Sequence, residues 1–322
     1  MPEPIEDRAG RSISGRYELI EPLGKGGMAV VWRGLQRGTD GFSRAVAIKR
    51  IDPSCRGFDE VQQMFIEEAR VGGLLQHPNI VQVYDFGTDE RGERYLVSEL
   101  VRGPHLGQWV DSFRFAGEPT PWELVTAIAV EVLRALDAAH SHRDAEQRIQ
   151  PVLHRDVTPG NILLDQSGVV KLADFGLARA ADRRSITRPN VVKGKLSYLA
   201  PELLLGGPAS VASDLFSLGV VLWEALTGKR LFQASTDLEV VELIKIGRVP
   251  ILSRERPALP LGLCAAVHRS LERDPLRRFA SARSMLESLT EVLRVLPRSV
   301  DSAVVAASVR TANDRLSEAE GI

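Results

Sequence analysis

Residues 153–161 read Leu153-His154-Arg155-Asp156-Val157-Thr158-Pro159-Gly160-Asn161, and a strand-like run, Ile162-Leu163-Leu164, follows at once. The stretch sets an acid, Asp156, and a carboxamide, Asn161, on one short loop stiffened by Pro159, whose ring fixes its φ. A carboxylate so placed can orient an alcohol and take its proton, and an amide oxygen on the same loop can hold a metal that neutralises phosphate charge. Polar loops beside strands are common in α/β proteins, so the meaning of this one rests on what stands elsewhere in the chain.

Upstream, residues 17–23 read as a strand that runs into Gly24-Lys25-Gly26-Gly27-Met28-Ala29-Val30-Val31, and residues 30–37 read as a second strand. Glycines there let a hairpin approach a polyphosphate closely and turn its N–H groups toward the oxygens. Lying between two strands, the loop is a hairpin cover and not the strand-to-helix turn of a dinucleotide site. Residues 44–51 alternate as a β-branched strand that carries Lys49, and a helix expected at about 59–76 offers Glu67 and Glu68 as its anion. Pro78 is expected to end that helix. Two more strands, 81–86 and 95–98, lead to Glu99-Leu100-Val101-Arg102-Gly103, a hinge after which the patterning is almost wholly helical.

Thr120-Pro121-Trp122-Glu123 has the form of a capping box opening a helix to about residue 142, and His140 and His142 are expected to answer the dipole at its end. Past the central loop, residues 169–173 read as a strand and Asp174-Phe175-Gly176 puts a carboxylate at its end. Residues 177–199 are polar, Arg-rich and poorly periodic, closing in Ala200-Pro201-Glu202. Ser213-Asp214-Leu215-Phe216 opens the most apolar helix, which should stop at Gly228; Thr236 and Glu239 form another capping box, and a last helix is expected at about 281–295. Residues 1–16 are expected to be a disordered tail, and 298–322 a tail with no strong apolar face, one loose helix at most.

Composition narrows the partners. With 322 residues, 44% hydrophobic and 26% charged, the chain has the make-up of a soluble globular protein, and a net charge of −1 gives no reason to expect nucleic acid or an anionic membrane. Cys55 and Cys264, far apart, suggest neither a disulfide framework nor a zinc site. Residues 1–16 lack the apolar core of a signal peptide, and the run 215–226 is too short, and too interrupted by Ser217 and Glu224, to span a bilayer. The expectation is a cytoplasmic protein without a membrane segment; oligomeric state is not indicated.

Five signals stand in one order: the Gly-rich hairpin, Val46-Ala47-Ile48-Lys49, His154-Arg155-Asp156 with Asn161, Asp174-Phe175-Gly176, and Ala200-Pro201-Glu202. From about residue 17 to 295 the chain resembles the eukaryotic-type protein kinases. Leu23-Gly24-Lys25-Gly26-Gly27-Met28-Ala29 with His77-Pro78-Asn79-Ile80-Val81 is most similar to their bacterial Ser/Thr members. The resemblance implies an α+β, bilobal protein-kinase fold over 17–297. Its N-lobe, 17–102, would be β-rich with one main helix, and its C-lobe, 103–297, mostly helical, with ATP and Mg²⁺ in the cleft. It implies transfer of the γ-phosphoryl of ATP to protein substrates with Ser/Thr acceptors.

Carried over residue by residue, Asp156 accepts the hydroxyl proton, Asn161 and Asp174 bind metal, and Lys49 grips the phosphates. Glu68 is the implied partner of Lys49, because the family's pairing glutamate stands immediately before an alanine, here Ala69. The nucleotide would lie against Leu23, Gly24, Lys25, Gly26, Gly27, Met28, Ala29, Val30 and Val31, then Ala47, Lys49, and Glu99 and Val101 of the hinge. Arg278 occupies the place of the arginine that pairs with the glutamate of Ala-Pro-Glu. Activation-segment autophosphorylation is expected at Thr187, then Ser185, with Arg155 receiving the phosphate.

Three positions depart from the family pattern: Ala29 replaces the third glycine, Thr158 stands where Ser/Thr members have lysine, and Lys195 where they have threonine. Lys195 is expected to supply the charge that Thr158 does not, as a member of the catalytic set. Loss of lysine at 158 keeps a second reading open, a pseudokinase that binds nucleotide or partners without transfer.

Overall fold

Period-two alternation in the first hundred residues produces one antiparallel sheet. Its strands are β1 (Ser12–Ile13), β2 (Tyr17–Lys25), β3 (Ala29–Arg37), β4 (Ser43–Ile51), β5 (Val83–Thr88) and β6 (Arg94–Glu99), in the order β1-β2-β3-β4-β6-β5. The computed structural model describes residues 7–175 and 196–320, which fall into two units: 7–76 with 81–101, and 77–80, 102–175 and 196–320.

In the first unit, Val46 and Ile48 of β4 share one face with Ile13, Tyr17, Leu19, Trp32, Tyr95 and Val97 in a buried cluster. Ile51, of opposite phase, packs instead with Leu96 and with Val61, Phe65 and Ala69 of α1 (Asp59–Leu74). Each valine, leucine, isoleucine or phenylalanine among them contributes about 1.5–3 kcal/mol on burial. Side chains alternate across a strand, so Lys49, in phase with Ile51, is placed on the face that α1 covers.

Residues 7–16 are not a disordered tail. β1 pairs with β2 through Ser12↔Glu18 and Ile13↔Tyr17, and Ile13 has no exposed surface. Arg50, 1% exposed, donates from Nε to Asp7 (2.7 Å) and from Nη2 to Asp89 (2.8 Å), while Arg11 donates to Asp89 at 2.6 Å. A two-residue strand has no readable period, and the anchoring charges lie some forty residues away. The sequence therefore hides the attachment. The helix α1 also stops short of residue 76: Leu75 is already extended. Residues 77–80 belong to the second unit, where the Asn79 carboxamide donates to the Val170 carbonyl and the Asn79 carbonyl accepts from Leu172 N–H.

The second unit holds α2 (Leu106–Phe115), α3 (Trp122–His140), an antiparallel pair β7 (Ile162–Leu164) and β8 (Val170–Leu172), then α4 (Pro201–Leu204), α5 (Val211–Thr227), α6 (Asp237–Ile246), α7 (Leu252–Glu255), α8 (Leu261–Ser270), α9 (Ala282–Arg294) and α10 (Ser302–Glu320). α5 is buried from Ser213 to Leu226; Ser210 and Ser213 cap its start, and Gly228, at φ 68°, closes it in the left-handed conformation that glycine adopts without penalty. α6 opens with the expected Thr236/Glu239 box. α3 does not open as expected. Pro121 takes its N-cap position with no side-chain bond, because the Thr120 hydroxyl donates instead to the Ala225 carbonyl of α5. α2 escapes a search for Ser, Thr, Asp or Asn caps, since its capping box is His105 with Gln108.

The C-terminal segment is not loose. Val305, Ala306, Val309 and Ala312 of α10 are buried, Trp109 of α2 donates its indole N–H to Ser308 Oγ at 3.0 Å, and Arg315 pairs with Glu118 at 2.7 Å. The turn before β8 meets the start of α10 so closely that a Cβ at Gly168 would lie 1.8 Å from the Ser302 carbonyl oxygen. The stripe is built of valine and alanine, too small to give the strong apolar face that sequence reading looks for. Removing residues 299–322 uncovers Trp109 and orphans its N–H. That should cost at least about 2 kcal/mol and lower the melting temperature by about 5 °C. Unchanged melting of the truncated protein would show that the docked helix contributes nothing.

Candidate active site

The glycine-rich hairpin is carried by β2 and β3, paired through Gly24↔Val31 and Lys25↔Val30, with Gly26 N–H donating to the Ala29 carbonyl at 2.8 Å. A Cβ at Gly24 would meet nothing within 4 Å, so the hairpin leaves open room above its backbone. The loop is stitched to the end of β4. Lys25 Nζ lies 2.7 Å from Asp52 Oδ2, and Asp52 N–H donates to the Met28 carbonyl at 2.9 Å. The Lys25 ammonium first, and then Ser54, outweigh burial and hold the Asp52 carboxyl down to about 2.

On β4, Lys49 stands between Val31 of β3 and Leu96 of β6, and its ammonium donates to Glu68 Oε1 at 2.7 Å. Both side chains are nearly buried, 13% and 5% exposed. Glu68 lies seven residues after Val61 and three after Phe65, hence on the α1 face that meets the sheet. Glu67, one residue round the helix, pairs with Arg70 at 2.8 Å. At the end of β6 Glu99 is opposite Val46, and its carboxylate accepts from Gln82 N–H at 2.7 Å. Ala47 is opposite Ser98, and Leu23 is half exposed at the hairpin's edge.

In the second unit the central loop is held from below by α5. Asp214 accepts from the backbone N–H of His154 (2.9 Å) and of Arg155 (2.7 Å), and bonds His140 Nε2 at 2.9 Å. Burial alone pushes its carboxyl up, but the hydrogen bonds from His140 first and then from the Arg155 N–H hold it below the usual range. Arg155 has φ 65°, a strained conformation for a side-chain-bearing residue, costing about 1–3 kcal/mol, and the Asp214 bonds offset it. Sequence reading used Asp214 only as part of a helix start and referred His140 to the helix dipole. A carboxylate in the first turn of the most apolar helix was the signal available.

His154 is fully buried, and burial keeps its ring below its ordinary pKa. Its Nδ1 accepts from Asp156 N–H at 3.2 Å and its Nε2 donates to the Ala173 carbonyl at 2.8 Å, which assigns the neutral tautomer, and it meets Phe175 edge-on at 4.5 Å. The ring thus ties Asp156 to the segment leading into Asp174. Asn161 Nδ2 donates to both the Asp156 carbonyl (2.8 Å) and Asp156 Oδ2 (2.9 Å), fixing the carboxylate and turning the Asn161 amide oxygen away from it.

Ala173 N–H donates to the Asn161 carbonyl at 2.9 Å, and Ile162 is opposite Leu172, so Asn161 and Asp174 stand at the same end of the β7–β8 pair. Asp174 has φ 61°, a second strained residue at this end. One carboxylate and one carboxamide oxygen are hard donors that fit Mg²⁺, which takes few protein ligands and completes its shell with phosphate and water. Among the described residues no group of three His, Cys, Asp or Glu could hold a metal unaided. Arg278, 2% exposed, grips both oxygens of Glu202 at 2.7 Å and so anchors Ala200-Pro201-Glu202. Thr158 is buried. Gly176, Ser185, Thr187 and Lys195 lie outside the described residues.

Comparison with known proteins agrees with this geometry. The model of the protein kinase domain matches residues 17–288. The tyrosine-protein kinase MasK of Myxococcus xanthus is 36% identical over 282 residues, 87% of this chain and 43% of that protein. The serine/threonine-protein kinase PrkC of Bacillus subtilis is 34% identical over 276 residues, 86% of this chain and 40% of that protein. The chain thus spans about two fifths of the length of these relatives. The crystal structure of the PknI kinase domain of Mycobacterium tuberculosis superposes with a TM-score of 0.66 at 27% identity, covering 89% of this chain and 99% of that one.

Proposed function

The chain belongs to the protein kinase family, and from that premise we propose that it is an active, ATP- and Mg²⁺-dependent Ser/Thr protein kinase. The observation that carries the reading is the carboxylate of Asp156, fixed by Asn161 and backed by the neutral His154. A pseudokinase has no use for an acid oriented so closely. In this reading Asp156 orients the acceptor hydroxyl and takes its proton, and Lys49, held by Glu68, grips the nucleotide's phosphates. Asn161 and Asp174 would hold Mg²⁺, which when bound would supply positive charge against the phosphates. Phosphoryl transfer asks little covalent chemistry of the protein, so placement and charge supply the acceleration. The nucleotide lies against the hairpin from Leu23 to Val31, with Ala47, Glu99 and Val101.

Lys195 contributes the positive charge that Thr158 does not. Thr187 and Ser185 are autophosphorylation sites, where a phosphate of about −2 charge would pair with Arg155. Pro159 and Ser197-Tyr198-Leu199 differ from the tyrosine-kinase pattern and favour serine and threonine as acceptors, although the relative MasK is named a tyrosine kinase. The free thiols Cys55 and Cys264 suit a reducing cytoplasm. Among the described residues no helix is long and apolar enough to cross a membrane.

Single-turnover incubation with γ-labelled ATP and Mg²⁺, followed by phosphoamino-acid analysis and mass spectrometry, tests this. Label on serine and threonine is expected, with Thr187 foremost and Ser185 second. No transfer would favour the pseudokinase, and label confined to tyrosine would overturn the acceptor assignment.

A further inference from the structure

Beside the catalytic loop, a groove of about 600 Å³ runs between α2 and the end of α5. Pro159, three residues past Asp156, forms part of its lining, with Leu106, Val110 and Val221 as apolar walls. A Cβ at Gly107 of α2 would lie 3.5 Å from the Pro159 ring, so this wall packs directly on the loop. An extended chain lying in the groove would pass next to the acid that receives the acceptor hydroxyl.

Charge decides what such a chain can carry. Glu224 at the groove's base is the natural seat for a basic side chain, but it is 7% exposed and already taken. Its Oε2 accepts from the Tyr198 hydroxyl at 2.7 Å and from Arg230 Nη1 at 3.0 Å, and its Oε1 accepts from Leu231 N–H at 3.1 Å. Asp111, the other acid of the lining, is paired with Arg114 at 2.9 Å. Asp111 keeps 41% of its side chain exposed, beside Arg114 at 60%, and the end of the groove next to Glu224 is cationic, with the side chains of Arg230 and Lys229 58% and 66% exposed. Lys229 Nζ donates to Glu255 Oε2 at 2.7 Å. Among the described residues Arg230 uses only Nη1, on Glu224 and on Tyr198, leaving the other N–H groups of its fork.

We propose that Arg230 fills the Glu224 seat from within the chain, so that this groove refuses basic residues and selects protein substrates with a glutamate or aspartate flanking the acceptor, held by Arg230 and Lys229. This rests on the kinase reading and names its substrate class. Arg230 and Lys229 act in specificity and not in transfer.

The test compares kcat/KM on paired serine peptides carrying Glu or Arg at each of five positions on either side of the acceptor, for the wild type, Arg230→Ala, Arg230→Lys and Lys229→Ala. At one or more positions the wild type should favour Glu over Arg by about tenfold or more, the worth of one charge-assisted bond. Arg230→Ala, by freeing Glu224, should abolish or reverse that preference, Arg230→Lys should keep part of it, and Lys229→Ala should weaken it several-fold. A wild type that favours Arg throughout, or an unchanged preference in folded Arg230→Ala, overturns the proposal. If Arg230→Ala fails to melt cooperatively, Lys229→Ala on the rim decides, and no drop there overturns it. Autophosphorylation without any peptide turnover also counts against the groove, whereas no transfer to any acceptor overturns the kinase reading itself.

Discussion

Asp156→Asn is expected to lower kcat by about 10³-fold or more, with the melting temperature unchanged within about 2 °C. The amide is nearly isosteric with the carboxylate and keeps an oxygen for the Asn161 bond, so the loop should stand as it does now. What it lacks is a site for the acceptor's proton and the negative charge that orients the hydroxyl. General-base removal alone is worth about 10²–10⁴-fold. Asp174→Ala and Lys49→Met should fall in the same range, since each removes a charge that transfer uses and neither side chain belongs to an apolar core. Initial rates at saturating ATP, with melting curves on the same preparations, provide the check. Wild-type-like turnover from any of the three, free of contaminating kinase, would remove that residue from the assigned machinery.

Lys195→Ala is expected to lower kcat by about 10²-fold, the size of one transition-state charge contact. The argument is an exchange of residues: Thr158 and Lys195 each occupy the position where Ser/Thr kinases have the other's residue type. A lysine ammonium on its long stem is a point charge that needs no fixed fork geometry, so the same charge can be supplied from a different position in the chain. Thr158 is buried, too short and uncharged to do so itself. The decisive measurement is a double-mutant cycle. Thr158→Lys/Lys195→Thr should recover much of what Lys195→Ala loses, because the charge returns to position 158. Near-normal turnover in Lys195→Ala, or a double exchange as slow as the single variant, would show that the two positions do not share a task.

Local chemistry was readable in the sequence, and long-range attachment was not. Strands β2 to β4, helix α1, the Gly228 end of α5 and the Thr236/Glu239 start of α6 follow from alternation, periodicity and cap residues, each a property of a few neighbours, whereas α5 is capped by Ser210, three residues before the expected Ser213. The order of the five motifs was enough to identify the fold. Which glutamate meets Lys49 came from the family pattern; the structure adds the reason, the phase of Glu68 with Phe65. What could not be read depends on partners tens to hundreds of residues away. Ile13 and Asp7 are ordered by β2 and Arg50, Thr120 is drawn off its helix by Ala225, and Asp214 turns out to hold the loop of Asp156. α10 hides for a different reason, since valine and alanine bury a stripe without advertising one.

The docking of α10 on α2 bears on the order in which the chain can mature. Trp109 and Ser308 are 199 residues apart, so the first helix of the second unit waits for the last one before its indole is covered. A ribosome adding about 5–20 residues per second needs about 10–40 s to bridge that gap. Through that interval α2 stands as an unfinished surface beside the loop of Asp156, and the second unit cannot complete its packing until α10 leaves the exit tunnel.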